Sequence, residues 1–354
     1  MKLYRILLVS ICLHTYVSLQ AQTLLTPEQA VTTALQKNYD IVLAKSEADI
    51  AKINNNKATA GMLPIINVTA GNGFNLNNIN QKFTTGQEVK KNWVPVNSFT
   101  TGLNMNWTIF DGMRMFATKD RLAALQSLSE MQLNDQIQNT IAQVLSVYYE
   151  IVRQKQLIKA LNESLKITEE RVFLSNKKLE VGYADKTPLL QAKVDLSSQK
   201  INILKQETQL QQSKVQLNQL LGRTANDLFD VIDTIEIKSA LNALPTLDAI
   251  HQNNLLIKGA NKNIEIAKLQ HKEIKAKRMP QINFNTSYNF MQNNSKAGLQ
   301  LFNRSYGPQL GVQASIPIFN GGMVKKELQV SAVNIAMKQI QVKQIKNSLD
   351  AQLQ

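Results

Sequence analysis

The sequence predicts an α+β membrane protein in which long antiparallel α-helical hairpins form a tube, and four amphipathic β-strands per protomer enter a shared transmembrane β-barrel. Three observations predict it. First, no Pro or Gly interrupts Met113 to Glu180, and apolar residues recur at spacings of three and four, as in Leu122, Leu125, Leu128, Val144, Tyr148, Ile151 and Val152. That periodicity reads as one helix of about 100 Å at 1.5 Å per residue. Second, four stretches alternate with period two and set an apolar face against an Asn-rich face. Third, the order helix, strand, strand, helix occurs twice.

The N-terminus is set apart from the rest. Lys2 and Arg5 precede the apolar run Ile6 to Leu13, with Ala21 a few residues on. Residues 1–21 therefore read as a cleaved signal peptide. The single cysteine, Cys12, lies inside it behind Ile11, too large a residue for a lipoprotein signal. A mature chain without disulfide or acylated cysteine is expected.

Thr26-Pro27-Glu28-Gln29 supplies an N-cap, a first-turn proline and a capping-box glutamine for a helix expected to run to about Ala60, before Gly61 and Pro64. Strand signals follow. Ile66, Val68, Ala70, Phe74 and Leu76 alternate with Asn67, Thr69, Gly71, Gly73 and Asn75. After an expected Asn- and Lys-rich loop at 77–97, Phe99, Leu103, Met105, Trp107 and Ile109 alternate with Thr100, Gly102, Asn104, Asn106 and Thr108. Phe110-Asp111-Gly112 leads into the long helix. At its far end, Val181-Gly182-Tyr183-Ala184-Asp185-Lys186-Thr187-Pro188 places Gly at a helix C-terminus and Thr187 before Pro188 as the expected N-cap of a return helix, which stops at Gly222.

The pattern then returns. Asn38, Ile41, Ala44, Ile50, Ala51, Pro64, Ile66 and Asn67 recur at a constant offset of 216 as Asn254, Ile257, Ala260, Ile266, Ala267, Pro280, Ile282 and Asn283. The second strand pair sets Ile282, Phe284, Tyr288 and Phe290 against Asn283, Asn285 and Asn289, then Leu310, Val312, Ala314, Ile316 and Ile318 against Gln309, Gly311, Gln313 and Ser315. Phe319-Asn320-Gly321-Gly322 repeats Phe110-Asp111-Gly112, and a helix is expected from Met323. The domain reading is signal peptide 1–21, first repeat 22–221, linking segment 222–245 and second repeat 246–354. Asp227, Asp230, Asp233 and Glu236 are expected on the solvated edge of the linking segment. A second repeat as long as the first ends near residue 437, so the spacing predicts a chain continuing past Gln354 with a second turn and return arm.

Four strands cannot close a barrel, for which about eight are needed, and open sheet edges do not occur in lipid. Several protomers must therefore share one barrel. Val68, Phe74, Leu103, Trp107, Phe284, Tyr288, Val312 and Ile316 are expected to face outer-membrane lipid, and the Asn-rich faces to line a wet lumen.

Together these residues resemble the TolC-like outer-membrane efflux channels. The resemblance rests on Asn38-Tyr39-Asp40-Ile41, the two Pro-led strands, and Trp107-Thr108-Ile109-Phe110-Asp111-Gly112 with Ile316-Pro317-Ile318-Phe319-Asn320-Gly321-Gly322. It includes Val181-Gly182 before Leu189-Leu190-Gln191-Ala192, and Leu217-Asn218-Gln219-Leu220-Leu221-Gly222-Arg223, so that it covers almost the whole mature chain. The resemblance implies a homotrimer with a twelve-stranded barrel in the cell outer membrane and an α-helical tunnel in the periplasm. It implies a passive exit duct of a tripartite efflux or secretion system, with a periplasmic adaptor (a membrane fusion protein) and an inner-membrane pump as partners. The adaptor contact expected is the hairpin tip, Gly182, Tyr183, Asp185, Lys186, Thr187 and Pro188. The family often carries an acid where Pro188 stands, a departure confined to the tip. A periplasmic adaptor and a coiled-coil structural protein of the cell envelope are the alternatives; neither accounts for a twofold repeat that includes four strands.

No enzyme, cofactor or metal is expected. His14 falls in the signal, and His251 and His271 stand alone, without Cys or a paired His to form a ligand cluster. Gly71-Asn72-Gly73 lies in a strand without the helix a phosphate loop requires, and no Gly-x-Ser-x-Gly occurs. The net charge of +14 is mostly Lys dispersed along helices, which excludes nucleic acid as the expected partner.

Overall fold

The computed structural model describes residues 23–234, 247–297 and 300–353. The signal-peptide reading lies outside them, as does Glu236. In chain order the elements are β1 (Thr23–Leu25), α1 (Pro27–Lys37), α2 (Tyr39–Asn54), β2 (Ile65–Lys82), β3 (Glu88–Phe110), α3 (Arg114–Glu180), α4 (Thr187–Leu220), β4 (Phe229–Val231), α5 (Leu247–Asn253), α6 (Leu255–Ala276), β5 (Gln281–Ser295), β6 (Phe302–Ser315) and α7 (Met323–Leu353). They fall into two compact units interleaved in sequence. One draws on the described residues of 1–45 and 133–244, the other on those of 46–132 and 245–354.

The first unit is helical with a small strand pair. α4 returns antiparallel to α3: Gln154 donates to Ser213, Lys200 pairs with Glu169, and Asp195 pairs with Arg171. β1 and β4 pair in parallel, Thr23 to Phe229 through Leu25 to Val231. The core gathers Leu25, Ala30, Ala34, Val144, Tyr148, Ile151, Val152, Leu217, Leu221, Phe229 and Val231, none more than 4% exposed. Tyr148 ties the strands to the helix. Its hydroxyl donates to the Leu25 carbonyl at 2.7 Å and accepts from the Ile232 N–H at 3.3 Å. Burial pushes the phenol above its ordinary pKa.

The linking segment is only in part the solvated edge expected of it: Asp227 and Asp233 are exposed, but Asp230 is half-buried and its apolar neighbours turn inward. Phe229 and Val231 enter the core because the β1 ladder satisfies their backbone. The acids beside them neutralise a helix lysine: Lys155 lies 2.9 Å from Asp230 and 2.6 Å from Asp233, and donates to the Val231 carbonyl.

The single helix expected from 27 to about 60 is broken at Asn38 and ends at Asn54. Asn38 has extended backbone (φ −62°, ψ 126°) and closes α1 with its N–H on the Ala34 carbonyl. Its Oδ1 accepts from the Asp40 and Ile41 N–H groups, opening α2, while Nδ2 donates to the Leu220 carbonyl at 2.8 Å. The repeat reproduces the joint. Asn254, at φ −63° and ψ 126°, closes α5 and accepts from the Ile257 N–H. Gly222, at φ +63°, ends α4 with its N–H on Gln219 and the Arg223 N–H on Asn218, and its bare Cα lets the Lys37 backbone approach closely.

The second unit holds one antiparallel sheet of order β2-β3-β5-β6. Its helices pack through Ala124, Leu128, Ile266 and Leu269, with Arg121 to Glu273 at 2.8 Å and Lys277 to Glu327 at 2.7 Å. The strands run to 18, 23, 15 and 14 residues, past the alternating stretches read from the sequence. Most of the expected loop at 77–97 is ladder: Ile79 pairs with Lys91 and Lys82 with Glu88, around a turn closed from Phe83 to Gln87. Main-chain pairing is indifferent to the Lys and Asn side chains that suggested a loop. β6, conversely, ends at Ser315, so Ile316 and Ile318 lie beyond it; Pro317 between them has no N–H to donate.

Candidate functional site: a two-faced sheet and a helix-hairpin tip

All four strands meet helices at one end of the sheet. β2 follows α2, β3 leads into α3, β5 follows α6 and β6 leads towards α7. At the opposite end a turn closed from Phe83 to Gln87 joins β2 to β3. Trp107 fixes the helix end, donating from Nε1 to the Met62 carbonyl at 3.0 Å.

Residues directly opposite in an antiparallel ladder share a face, so the register sorts the side chains. Trp107, Phe284 and Val312 form one row on the apolar face; Ile66, Met105, Thr286 and Leu310 form the next. Val68, Leu103, Tyr288 and Pro308 follow, then Ala70, Thr101, Phe290 and Tyr306. These four rows contain no charge and no amide. Phe74 continues the same alternation farther along β2. Seven of the eight residues expected to face lipid are thus on one face of the sheet; Ile316 lies one residue past β6. That face is uncovered within the chain: Val68 is 73% exposed and Val312 69%.

The opposite face is polar. Asn67, Asn104, Ser287 and Gln309 form one row, and Thr108, Asn283 and Gln313 another. Asn104 donates to Thr69 at 3.1 Å, Thr108 to Asn283 at 3.0 Å, and Asn289 to Ser287 at 2.8 Å. A shallow hollow of about 570 Å³ runs over Asn67, Asn104, Asn285, Ser287 and Gln309. Neutral donors and acceptors of this kind hold water without fixing an ion of either sign.

The tip between α3 and α4 is built from a helix terminus. Gly182, at φ +73°, donates to Leu179, and Tyr183 donates to Lys178, which closes α3 in the two-bond motif that needs a left-handed residue. Thr187 is not the N-cap expected. It is the first residue of α4, Lys186 holds the cap position without a side-chain bond, and Asp185 Oδ1 accepts from the Thr187 N–H at 2.9 Å. Asp185 captures the N–H because its carboxylate reaches two residues forward. Val181 (77%) and Tyr183 (80%) project from the tip, whereas Leu189 turns inward.

Sequence reasoning placed Tyr148 on the apolar stripe of the long helix but not its hydroxyl bonds to residues far away in sequence, and it singled out neither Lys155 nor Arg304. Arg304 precedes the point at which the last strand was expected to begin. The signal available for it was the alternation of Phe302, Tyr306, Pro308 and Leu310. Among the described residues no group of three or more His, Cys, Asp or Glu is placed to hold a metal, and no helix is long and apolar enough to cross a membrane.

The chain is 23% identical over 247 residues to the outer membrane efflux protein BepC of Brucella suis biovar 1 (strain 1330), covering 69% of this chain and 52% of that protein. It therefore spans about half the length of that relative. Among solved structures it is similar to the CmeC outer membrane channel of Campylobacter jejuni (TM-score 0.75, 18% identity, 92% of this chain and 68% of that one). It is also similar to CusC (TM-score 0.73, 18% identity, 91% and 72%), whose structures describe transmembrane channel formation. These likenesses establish the fold expected from the sequence, long helices joined to amphipathic antiparallel strands. The family model described as outer membrane efflux protein matches residues 30–223, more than half of the sequence, and the chain belongs to that family.

Proposed function

We propose that the chain forms part of an outer-membrane exit duct, a passive path for solutes from the periplasm or an inner-membrane pump to the exterior. The observation that carries this reading is the sheet: one face without charge or amide over four rows, the other lined by Asn, Ser, Thr and Gln, and α2, α3, α6 and α7 all adjoining the strands at one end. Apolar-out and polar-in alternation is what a strand between lipid and a wet lumen requires.

β2 and β6 are the edges of the sheet. In lipid an open edge leaves backbone groups without partners, so further copies complete the barrel, and three copies of four strands give twelve. The helices then extend on the periplasmic side. The tip from Gly182 to Pro188 is the contact for a periplasmic adaptor, with Val181 and Tyr183 as its exposed apolar groups. An adaptor or a coiled-coil envelope protein has no use for four strands with a continuous uncovered apolar face.

The test is expression of the chain with fractionation of the envelope. It is expected in the outer-membrane fraction, migrating differently on a gel when unheated and when boiled. Lys186→Cys is expected to crosslink to an adaptor in intact cells. A chain recovered only from the soluble periplasm, with heat-independent migration, overturns the reading.

A further inference from the structure

Above the Phe290–Tyr306 row the apolar face changes character. The next row is Asn72, Phe99, Gln292 and Arg304, and beyond it come Phe74, Asn97, Asn294 and Phe302. Amides and a guanidinium enter just where charge had been absent, interleaved with aromatic rings. Arg304 is held there by its neighbours. Its guanidinium lies 5.1 Å from the Phe302 ring centroid and 5.9 Å from that of Phe290, and it donates to Gln292 Oε1 at 3.2 Å. Phe290 stacks on Tyr306 at 6.5 Å and meets Phe99 edge-on at 6.2 Å. Two ring contacts and a single neutral acceptor orient the cation without neutralising it, and among the described residues no carboxylate pairs with it.

Its height is informative. From Val312, in the Trp107 row, to Arg304 is eight residues of β6, about 26 Å of strand or about 20 Å of membrane depth at barrel tilt. That approaches the ~25 Å apolar band that aromatic girdles bracket in membrane barrels. Trp107 marks the band at the helix end, and Phe99, Phe290, Tyr306 and Phe302 mark it at the turn end.

We propose that Arg304, clasped by Phe290 and Phe302, is a binding site for the phosphate of an anionic lipid headgroup in the leaflet at the turn end of the sheet. Charge complementarity selects the headgroup, Gln292 and Asn294 supply amide donors beside it, and Phe290 and Tyr306 lie below for the acyl chains. The inference rests on the lipid-facing reading of this face.

The full chain reconstituted in vesicles of phosphatidylcholine with an equal share of phosphatidylglycerol, then released for native mass spectrometry, tests it. Wild type is expected to retain phosphatidylglycerol over phosphatidylcholine. Arg304→Gln lowers that ratio by about fivefold, the scale of one basic group at an anionic surface. Arg304→Lys restores part of it, and Phe290→Ala weakens it with the cation in place. Free inorganic phosphate leaves the retained lipid unchanged. Insertion with heat-modifiable migration but equal ratios in wild type and Arg304→Gln overturns the proposal alone. Displacement by inorganic phosphate also overturns it, leaving a free-anion site. Failure to insert overturns the lipid-facing reading, and the proposal with it.

Discussion

The helical core around Tyr148 and the four-stranded sheet satisfy their apolar residues in opposite ways. In the core, Leu217 is 0% exposed and Tyr148 has both partners within the chain. In the sheet, Leu103 is 51% exposed and Leu310 72%, although the backbone ladder runs across all four strands. One region finishes its hydrophobic burial alone. The other pairs its strands internally but leaves its apolar area, and the outer edges of β2 and β6, to its surroundings. Two regions of one chain therefore respond to the same substitution in different solvents.

The sharpest test of that difference is a matched pair. Leu217→Ala removes a fully buried side chain and is expected to cost ~2–5 kcal/mol in thermal or denaturant unfolding followed by helical circular dichroism. Leu103→Ala, judged by the same signal without a membrane, is expected to shift the midpoint far less. Equal shifts would mean that the apolar face is covered after all.

Reversing the solvent reverses the sensitivity. Leu103→Arg puts a charge in the middle row of the apolar face and is expected to cost ~2–4 kcal/mol of barrel stability, read as loss of the heat-modifiable band. Asn104→Arg, the next residue and on the polar face, is expected to keep that band. Comparable loss in both variants would show that the faces are wrongly assigned.

A smaller effect isolates hydrogen bonding from burial. Tyr148→Phe keeps the ring but removes the donor to the Leu25 carbonyl and the acceptor for the Ile232 N–H. The loss expected is ~1–3 kcal/mol, because both backbone groups are left in a dry site.

The two regions were also unequally legible in the sequence. The faces of the sheet follow from period-two alternation alone, and Val68, Leu103, Tyr288, Trp107, Phe284 and Val312 fall where that period puts them. Strand length does not follow, because Lys90, Lys91 and Asn80 are polar while their backbone pairs regardless. The long helix and its return arm were legible in extent and direction, since Gly182 and Gly222 mark their ends. The break at Asn38 was not. It lies in a run without Gly or Pro, and its side chain is committed to Leu220, distant in sequence. Asn254 at the same place in the repeat was visible as an identity, but its meaning as a cap required the fold. The tip was legible as a turn, whereas its capping by Asp185 depended on which of two adjacent polar residues reached the free N–H.

The smallest effect expected is the pH dependence of the charged clamp on the linking strand. Burial works against the charged form of Lys155, yet its hydrogen bonds to Asp233 and Asp230 outweigh this and raise its pKa above 10.5. Burial likewise pushes the Asp230 carboxyl up, and Lys155 and the Val231 N–H more than compensate, lowering it below 3.8. The depressed acid contributes stability that is present above 3.8 and lost as the pH falls through the folded value. The raised base contributes stability that is present below 10.5 and lost as the pH rises through its own folded value. Between those limits the clamp is fully charged and its contribution flat. Both groups are partly exposed, so the contribution is screened by salt. The quantity to measure is the difference in unfolding midpoint between wild type and Lys155→Met as a function of pH. It is expected to be constant from about pH 5 to 9 and to shrink towards pH 3. Asp230→Asn should flatten the acid limb while leaving the Tyr148 bonds in place. A difference that persists unchanged at pH 3 would assign the work of Lys155 to the packing of its methylenes and leave β4 held by burial of Phe229 and Val231 alone.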